Sequence, residues 1–370
     1  MTKVMPEVNK PTKASLDAPV TMPEIVPAQQ LSDFIARVLN AVGMPLKDAA
    51  TVASIMAEAD LRGADAHGVF RLPSYVKRIK SGGMNLTPTI RLVSERAATA
   101  LIDGDNGMGH LVMRHAADIA VAKAKNCGVA WVGARMSNHA GPAGLYARMP
   151  LAQGMVGIYI AVGSANHLPP WGGAEMLLST NPIAIAVPGG KRPPIVLDMA
   201  TTNAAYGKVK AKAQKGEMMP EGWMVGRDGK PLLDPKRASE GFLLPIGGAK
   251  GYGLALMFGI LAGTLNGAAF GRDVIDFNAD FATTTNTGHL MAAIDVEAFM
   301  PLAQFTAAID DVWHDMQGSE RLPGVDSIRL PGEQSHKTWE QRSANGVPIT
   351  PELKAALDAL ADSVGVHHLT

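Results

Sequence analysis

Between residues 129 and 200 the chain reads VAWVGA (129–134), MVGIYIAV (155–162), PIAIAVP (182–188) and PIVLDMA (194–200), and the same texture returns as LMAAID at 290–295. Each run is short and apolar, is enriched in Val, Ile or Ala, and is bounded by Gly, Pro, Asn or Asp. Buried and half-buried β-strands read this way. The runs do not alternate regularly with helical patterns, as a doubly wound parallel sheet requires. The centre therefore predicts a mixed or antiparallel sheet.

Working outward, both flanks read as helical. Residues 27–43 (PAQQLSDFIARVLNAVG) set Leu31, Phe34, Val38, Leu39 and Val42 at helical spacing. Residues 46–61 repeat the pattern and end at Gly63, a C-terminal cap. The amphipathic stretch 109–127 closes at Gly128 just before the strand at 129, the order of a helix packed on a sheet. The chain ends in a further helical stretch at 352–364. Residues 1–25 are dominated by Pro, Lys, Ser and Thr, without the apolar core of a secretory signal, and read as a loose tail. The expected fold class is α/β of the α+β type: a tail at 1–25, a helical, substrate-binding part at 26–125, a sheet domain at 126–300 and a second helical part at 301–370.

The chain has 370 residues, with 34 Lys+Arg against 34 Asp+Glu. That balance argues against nucleic acid and against polybasic membrane attachment. Cys127 is the single cysteine, so no intrachain disulfide and no cysteine-based zinc site can form. This fits a reducing compartment, and a cytoplasmic location is expected. Residues 251–271 carry no charge, and Gly259, Gly263 and Gly267 are spaced like a membrane-helix dimer motif. Six glycines, Thr264 and Asn266 interrupt this run, so a buried helix packed closely through its glycines is expected instead.

A nucleotide-binding chain usually shows a phosphate loop, yet neither G-x-G-x-x-G nor a Walker A motif is present. The nearest stretch is GGAKGYG (247–253), directly before the apolar helix. Its glycines, the helix start and Lys250 suit a pyrophosphate or carboxylate cradle, or a helix entry turn in which glycine serves packing only. A second segment, RGADAHGVFR (62–71), offers His67 as an acid or base near neutral pH and Arg71 as a bidentate carboxylate clamp. Taken alone, the segment reads more readily as a capped loop with surface ion pairs. A third, SNHAGP (137–142), places His139 after a strand, where loops commonly build sites. The loops 162–167, 169–173, 179–182, 198–202 and 329–333 are ligand-facing or plain turns. His110, His115, His289, His314, His336, His367 and His368 take structural readings. No H-x-x-x-H pair and no G-x-S-x-G elbow occurs, so neither a catalytic zinc nor a serine hydrolase is expected.

Taken together, RGADAHGVFRLPSYV, SNHAGPAGLYA, PPWGG, STNPIAIAVP, VLDMAT, LLPIGGAKGYGLAL, GHLMAAID and RLPGE, in this order, resemble the type-2 malate/L-lactate dehydrogenase family. Its relatives include ureidoglycolate, diketogulonate, sulfolactate and Δ1-piperideine-2-carboxylate oxidoreductases. The resemblance spans about Glu24 to Val366. It implies a non-Rossmann fold, with a predominantly antiparallel sheet domain that binds the nicotinamide cofactor and a helical domain from both termini. It also implies a homodimer and an NAD(P)-dependent oxidoreductase of 2-hydroxy acids, with NAD favoured over NADP. A reductase of cyclic imino acids and a catalytically silent relative are the alternatives. By position, His67 matches a proposed proton donor and His139 an acid/base of some relatives; Arg71 would hold the substrate carboxylate and Tyr75 line the pocket. Ser164, Asp198, Met199, Ala200, Thr201, Lys250, Gly251, Gly332 and Glu333 match cofactor-contacting positions, and no metal is implied. Two departures stand out. Ala66 replaces a common serine before the motif histidine, and 162–164 reads Val-Gly-Ser where Thr-Asn-Ser is frequent. Lys208, Lys210, Lys212 and Lys215 are read as a solvated basic loop, with a cofactor 2′-phosphate as the alternative partner.

Overall fold

A computed structural model describes residues 22–370; most of the expected tail lies outside them. Seven strands form the central sheet: β1 (Arg91–Glu95), β2 (Thr99–Asp103), β3 (Val129–Ser137), β4 (Met155–Ala161), β5 (Ile183–Val187), β6 (Ile195–Met199) and β7 (Thr287–Asp295). Their order is β1-β2-β3-β7-β4-β5-β6, and every pairing is antiparallel except β2 with β3. The antiparallel reading of the centre thus holds. β1 and β2 fall N-terminal to residue 126, where the sequence places the start of the sheet. All five residues of β1 are exposed, so this edge strand carries no apolar alternation to betray it.

Ten helices accompany the sheet among the described residues: α1 (Ala28–Ala41), α2 (Leu46–Leu61), α3 (Leu72–Lys80), α4 (Gly109–Cys127), α5 (Ala143–Ala147), α6 (Tyr206–Lys215), α7 (Ala249–Ala262), α8 (Leu302–Gly318), α9 (Glu333–Asn345) and α10 (Pro351–Val364). Leu31, Phe34, Ile35, Val38 and Leu39 of α1 are buried, as their spacing predicts, and share one core with α2, α3 and Leu357, Leu360 and Ala361 of α10. The two ends of the chain are therefore joined in one helical body. A short ladder joins them as well, pairing Glu24–Val26 antiparallel with Val347–Ile349, so the expected tail gives way to paired backbone by Glu24. A second core lies under the sheet, where Val112, Met113, Ala116 and Ala120 of α4 meet Ile102, Val132 and Met291.

Two expectations change. α6 is a helix rather than a loop, because Lys, Ala and Gln favour helix, Val209 is buried, and Gly216 caps it in the left-handed region. α7 is not buried all round. It turns Gly251, Ala255, Gly259 and Ala262 inward and leaves Leu254 and Met257 exposed, because only small residues fit the close approach. With 14 residues it is short, and no described helix is long and apolar enough to cross a membrane.

The register fixes where a site can form. β3 and β4 run in the same direction on either side of β7, so Ser137 and Ala161 end at the edge where Thr287 begins. β5 starts and β6 ends at that same edge, where Ile183 pairs with Met199. The loops carrying His139, Ser164 and Thr201 therefore emerge side by side.

Candidate active site

His67 sits in a single 3-10 turn, Asp65–His67, between α2 and α3. The turn is held from below by the buried carboxyl of Asp60, which accepts the Val69 N–H at 2.8 Å. Gly68 is required there, since a Cβ would lie 2.0 Å from Asp60 Oδ1. Burial raises the Asp60 pKa to about 8 despite the Val69 bond, so it is protonated at neutral pH. Arg71 leaves the next turn. Its Nε donates to the Ala66 carbonyl at 2.9 Å and its Nη1 to Asn278 Oδ1 at 3.0 Å.

His139 follows β3. Its imidazole stacks on that of His67, with centroids 5.4 Å apart and an interplanar angle of 16°. Its Nδ1 lies 2.6 Å from the hydroxyl of buried Tyr75 on α3. Phe277 closes the far wall, 5.6 Å from His139 and 5.7 Å from Tyr75. Desolvation lowers the His67 pKa to about 4, with Arg71 adding to the effect, and it lowers His139 well below its ordinary value. Burial raises the Tyr75 pKa. Three sequence-predicted residues, His67, His139 and Tyr75, thus form one uncharged aromatic pocket with Arg71 at its mouth.

The bracing of this pocket was not legible in the sequence. Arg78, fully buried, donates from Nε to Asn138 Oδ1 at 2.9 Å, from Nη1 to the Asp280 carbonyl at 2.7 Å and from Nη2 to the Thr283 carbonyl. Asn138 Nδ2 in turn donates to the carbonyls of Asn106 and Gly107. His289, read as structural, is structural: its Nδ1 lies 2.8 Å from the Tyr159 hydroxyl and its Nε2 3.0 Å from Ser137 Oγ. His110 differs. It is fully buried against Tyr75, and neither of its ring nitrogens has a hydrogen-bond partner among the described residues.

The positions matching cofactor contacts fall into two groups. The Ser164 carbonyl accepts the N–H of Phe277, so Ser164 adjoins the histidine pocket. Thr201 is buried; its N–H and hydroxyl donate to the Thr180 carbonyl, and its own carbonyl accepts from Ile246, just before Lys250. Met199 pairs with Ile183, and Ala200 follows it out of the sheet. Lys250 is exposed in the first turn of α7, and Gly251 is buried where a Cβ would meet the Ile246 carbonyl at 2.2 Å, so the lack of a side chain at Gly251 allows the close backbone approach. The second group, Asp198 and Gly332, lines a cleft of about 470 Å³ with Ala64, Pro142, Gly144, Arg62, Arg148 and Arg329. Asp198 accepts the Gly144 N–H at 2.8 Å. Burial and neighbouring Arg62 lower the Arg148 pKa to about 10, still a cation. Glu333 beside it is engaged internally by Lys337 at 2.6 Å and by the Leu330 N–H. Three arginines around a cleft that opens beside the histidine loops fit a diphosphate-bearing cofactor.

The same scaffold occurs in other proteins. The family model for malate/L-lactate dehydrogenase matches residues 26–358. The malate dehydrogenase of Pyrococcus horikoshii is 40% identical over 352 residues, covering 93% of this chain and 96% of that protein. A solved structure of malate dehydrogenase from Pyrococcus horikoshii superposes with a TM-score of 0.86 at 38% identity, over 96% of this chain and 99% of that one. The L-sulfolactate dehydrogenase of Methanocaldococcus jannaschii is 39% identical over 334 residues, covering 90% and 95%. The structure of a Δ1-piperideine-2-carboxylate reductase from Pseudomonas syringae matches with a TM-score of 0.79 at 30% identity, over 91% and 100%. Agreement in sequence, length and fold settles that the chain belongs to the malate/L-lactate dehydrogenase family of NAD(P)-dependent hydroxy-acid oxidoreductases.

Proposed function

We propose that the chain exchanges a hydride between C2 of a 2-hydroxy acid and a nicotinamide cofactor. In this reading Arg71 holds the substrate carboxylate, His67 exchanges the hydroxyl proton and His139 hydrogen-bonds the same oxygen. The observation that carries it is the stacked, uncharged His67–His139 pair beside Arg71. The Tyr75 hydroxyl engages His139 Nδ1, which leaves Nε2 for the substrate. His67 is the imidazole free to change its protonation, since its Nδ1 has no partner among the described residues. Arg71 helps to depress the His67 pKa. A substrate carboxylate on Arg71 offsets that charge and strengthens the base as substrate binds. The nicotinamide, when bound, takes the hydride from C2 or returns it. Tyr75 and Phe277 wall the pocket with apolar rings and keep water from the pair.

Ser164, Asp198, Met199, Ala200, Thr201, Lys250, Gly251, Gly332 and Glu333 are the residues we assign to the cofactor. NAD is favoured over NADP because the Asp198 carboxylate, which lines the cleft, suits a ribose hydroxyl and opposes a further phosphate. Malate-like and sulfolactate-like acids lead as substrates, after the named relatives. A cyclic imino acid is the second reading, favoured by the Pseudomonas syringae match. A cytoplasmic homodimer completes the proposal: Cys127 is exposed and free, and Leu254, Met257 and Leu265 form an exposed apolar surface on and after α7.

Absorbance-monitored NADH and NADPH oxidation tests the reading against a panel of 2-oxo acids and cyclic imino acids. Turnover of a 2-oxo acid supports it, and turnover of imino acids alone moves the substrate class. Cofactor binding without any turnover would indicate a silent relative. Light scattering on the same sample reads the dimer.

A further inference from the structure

α4 begins directly beneath the loop that carries His139. At its first residue, Gly109, a Cβ would meet the Asn138 carbonyl oxygen at 2.2 Å and the His139 carbonyl oxygen at 2.7 Å. The next side chain, His110, is driven by this packing into the floor of the pocket. It is 0% exposed and lies edge-on to Tyr75, with centroids 5.6 Å apart and an interplanar angle of 88°. Its Nε2 points to Gly141. A Cβ on Gly141 would stand 3.2 Å from that nitrogen and 3.8 Å from the His67 carbonyl oxygen. His110 therefore faces the His67 turn across a residue that has no side chain.

A buried imidazole placed for packing normally finds partners, as His289 does in the same pocket. Six buried side-chain atoms lack a hydrogen-bond partner among the described residues, and three of them are His110 Nδ1, His110 Nε2 and His67 Nδ1. Two neighbouring rings thus leave buried nitrogens unmatched. Burial lowers the His110 pKa to about 3, with His67 and His289 contributing, so its ring keeps a lone pair at any working pH. The other groups facing the pair are Arg71 on the same loop, Tyr75 on α3 and His139 after β3, with Asp60 on α2 under Gly68.

We propose that His110 is a positioning residue for His67: its neutral imidazole accepts, through one buried water, the Nδ1–H of His67 when His67 carries the substrate's proton. This rests on His67 being the acid/base. In the oxidising direction the substrate hydroxyl proton moves to His67 Nε2. The positive charge that appears on the ring is then shared through Nδ1–H with His110, which itself neither gains nor loses a proton. His139 already has such a partner in Tyr75, and His110 supplies the missing one.

The test compares His110→Phe and His110→Gln with His67→Ala in the full chain. For each, kcat/KM is measured across pH and Tm by calorimetry. His110→Phe should lose about 10–100-fold in kcat, the range for removal of a partner that orients a functional histidine. The acid limb of its profile should move to lower pH, and Tm should be unchanged or higher, because an unmatched polar ring has left the core. His110→Gln, which keeps an acceptor, should retain the native acid limb. A folded His110→Phe with native kcat and native limb would overturn the proposal. Equal damage in His110→Gln and His110→Phe would also overturn it, since packing alone would then explain the loss. Full activity in His67→Ala would instead remove the underlying assignment, whatever His110 does.

Discussion

Around His67 the ionisable rings are held uncharged: His67, His110 and His289 are pushed to about 4, 3 and 4 by burial. A few residues away, the cleft around Asp198 gathers Arg62, Arg148 and Arg329, with Glu58 paired to Arg62 and with Asp198 close to Arg148. The two regions share a wall, since Ala64 and Pro142 line the cleft while His67 and His139 lie three residues along the same loops. The contrast follows the chemistry each must serve. A proton and a hydride move most readily where the surroundings hold no competing charge or water. An anion is held where cations are already oriented and partly desolvated. One set of loops reaches both because the sheet register brings their ends to one edge.

The comparison breaks first at the imidazoles. His67→Ala should lower kcat/KM by about 10²–10⁴-fold, the usual share of general acid–base catalysis, with cofactor affinity by fluorescence titration unchanged. Native turnover in this variant would mean that the uncharged pocket is not the reacting centre. In the cleft, Arg148→Ala should raise the cofactor KM about 10–100-fold, the value of a charge-assisted hydrogen bond, while kcat stays near native. The defect should shrink as salt rises, because screening weakens the same attraction in the native chain. A fall in kcat with unchanged KM would erase the division of labour between the regions.

The pocket's support is probed by stability. Asp60 keeps its proton in the folded chain up to about pH 8, while the unfolded chain loses it near 3.8. The folded state then binds the extra proton, so this contribution is present at low pH and is lost as pH rises through about 8. The buried histidines act oppositely. Their folded values of about 3 to 4 lie below 6.5, so their contribution is present above 6.5 and is lost as pH falls toward 4. Stability should peak near pH 6.5, and Asp60→Asn should abolish the decline between 6.5 and 8 in denaturant titrations. Asp60→Ala leaves the buried Val69 N–H without an acceptor and should cost about 1–3 kcal/mol at acid pH, a cost that shrinks as pH rises toward 8. An identical pH curve for Asp60→Asn and the native chain would deny the carboxyl its proton.

The sequence was legible where structure is local. The helices at 28–41, 46–61 and 109–127 follow from spacing and glycine stops, and the central strands from their apolar runs. His67, His139 and Arg71 stand out because they sit in dense motifs and Tyr75 through the family resemblance, and the fold brings all four together. Asp60, Arg78, His110 and Asn138 do not stand out, because each works across a long separation. Arg78 reaches Asp280 and Asn138, and Asp60 matters only through the turn that folds over it. A lone aspartate inside an apolar helix, or a histidine one residue after Gly109, carries no such information until the chain is folded. The exposed face of α7 escaped for the converse reason: an unbroken apolar run does not say which side is covered.

The smallest expected effect is at Ala66, where the family's usual serine is missing. Its carbonyl already positions Arg71 through Nε, a backbone contact that any residue supplies. Its side chain is exposed and faces the start of α6, 3.7 Å from where Gly207 would carry a Cβ. A hydroxyl there adds a donor at the rim rather than a partner for the buried Nδ1 of His67. Ala66→Ser should therefore change the substrate KM by less than about tenfold, less than one well-made hydrogen bond, and leave kcat and its pH profile as they are. If kcat instead rose by orders of magnitude, the native pocket would be incomplete, and the uncharged pair would need the missing hydroxyl to work.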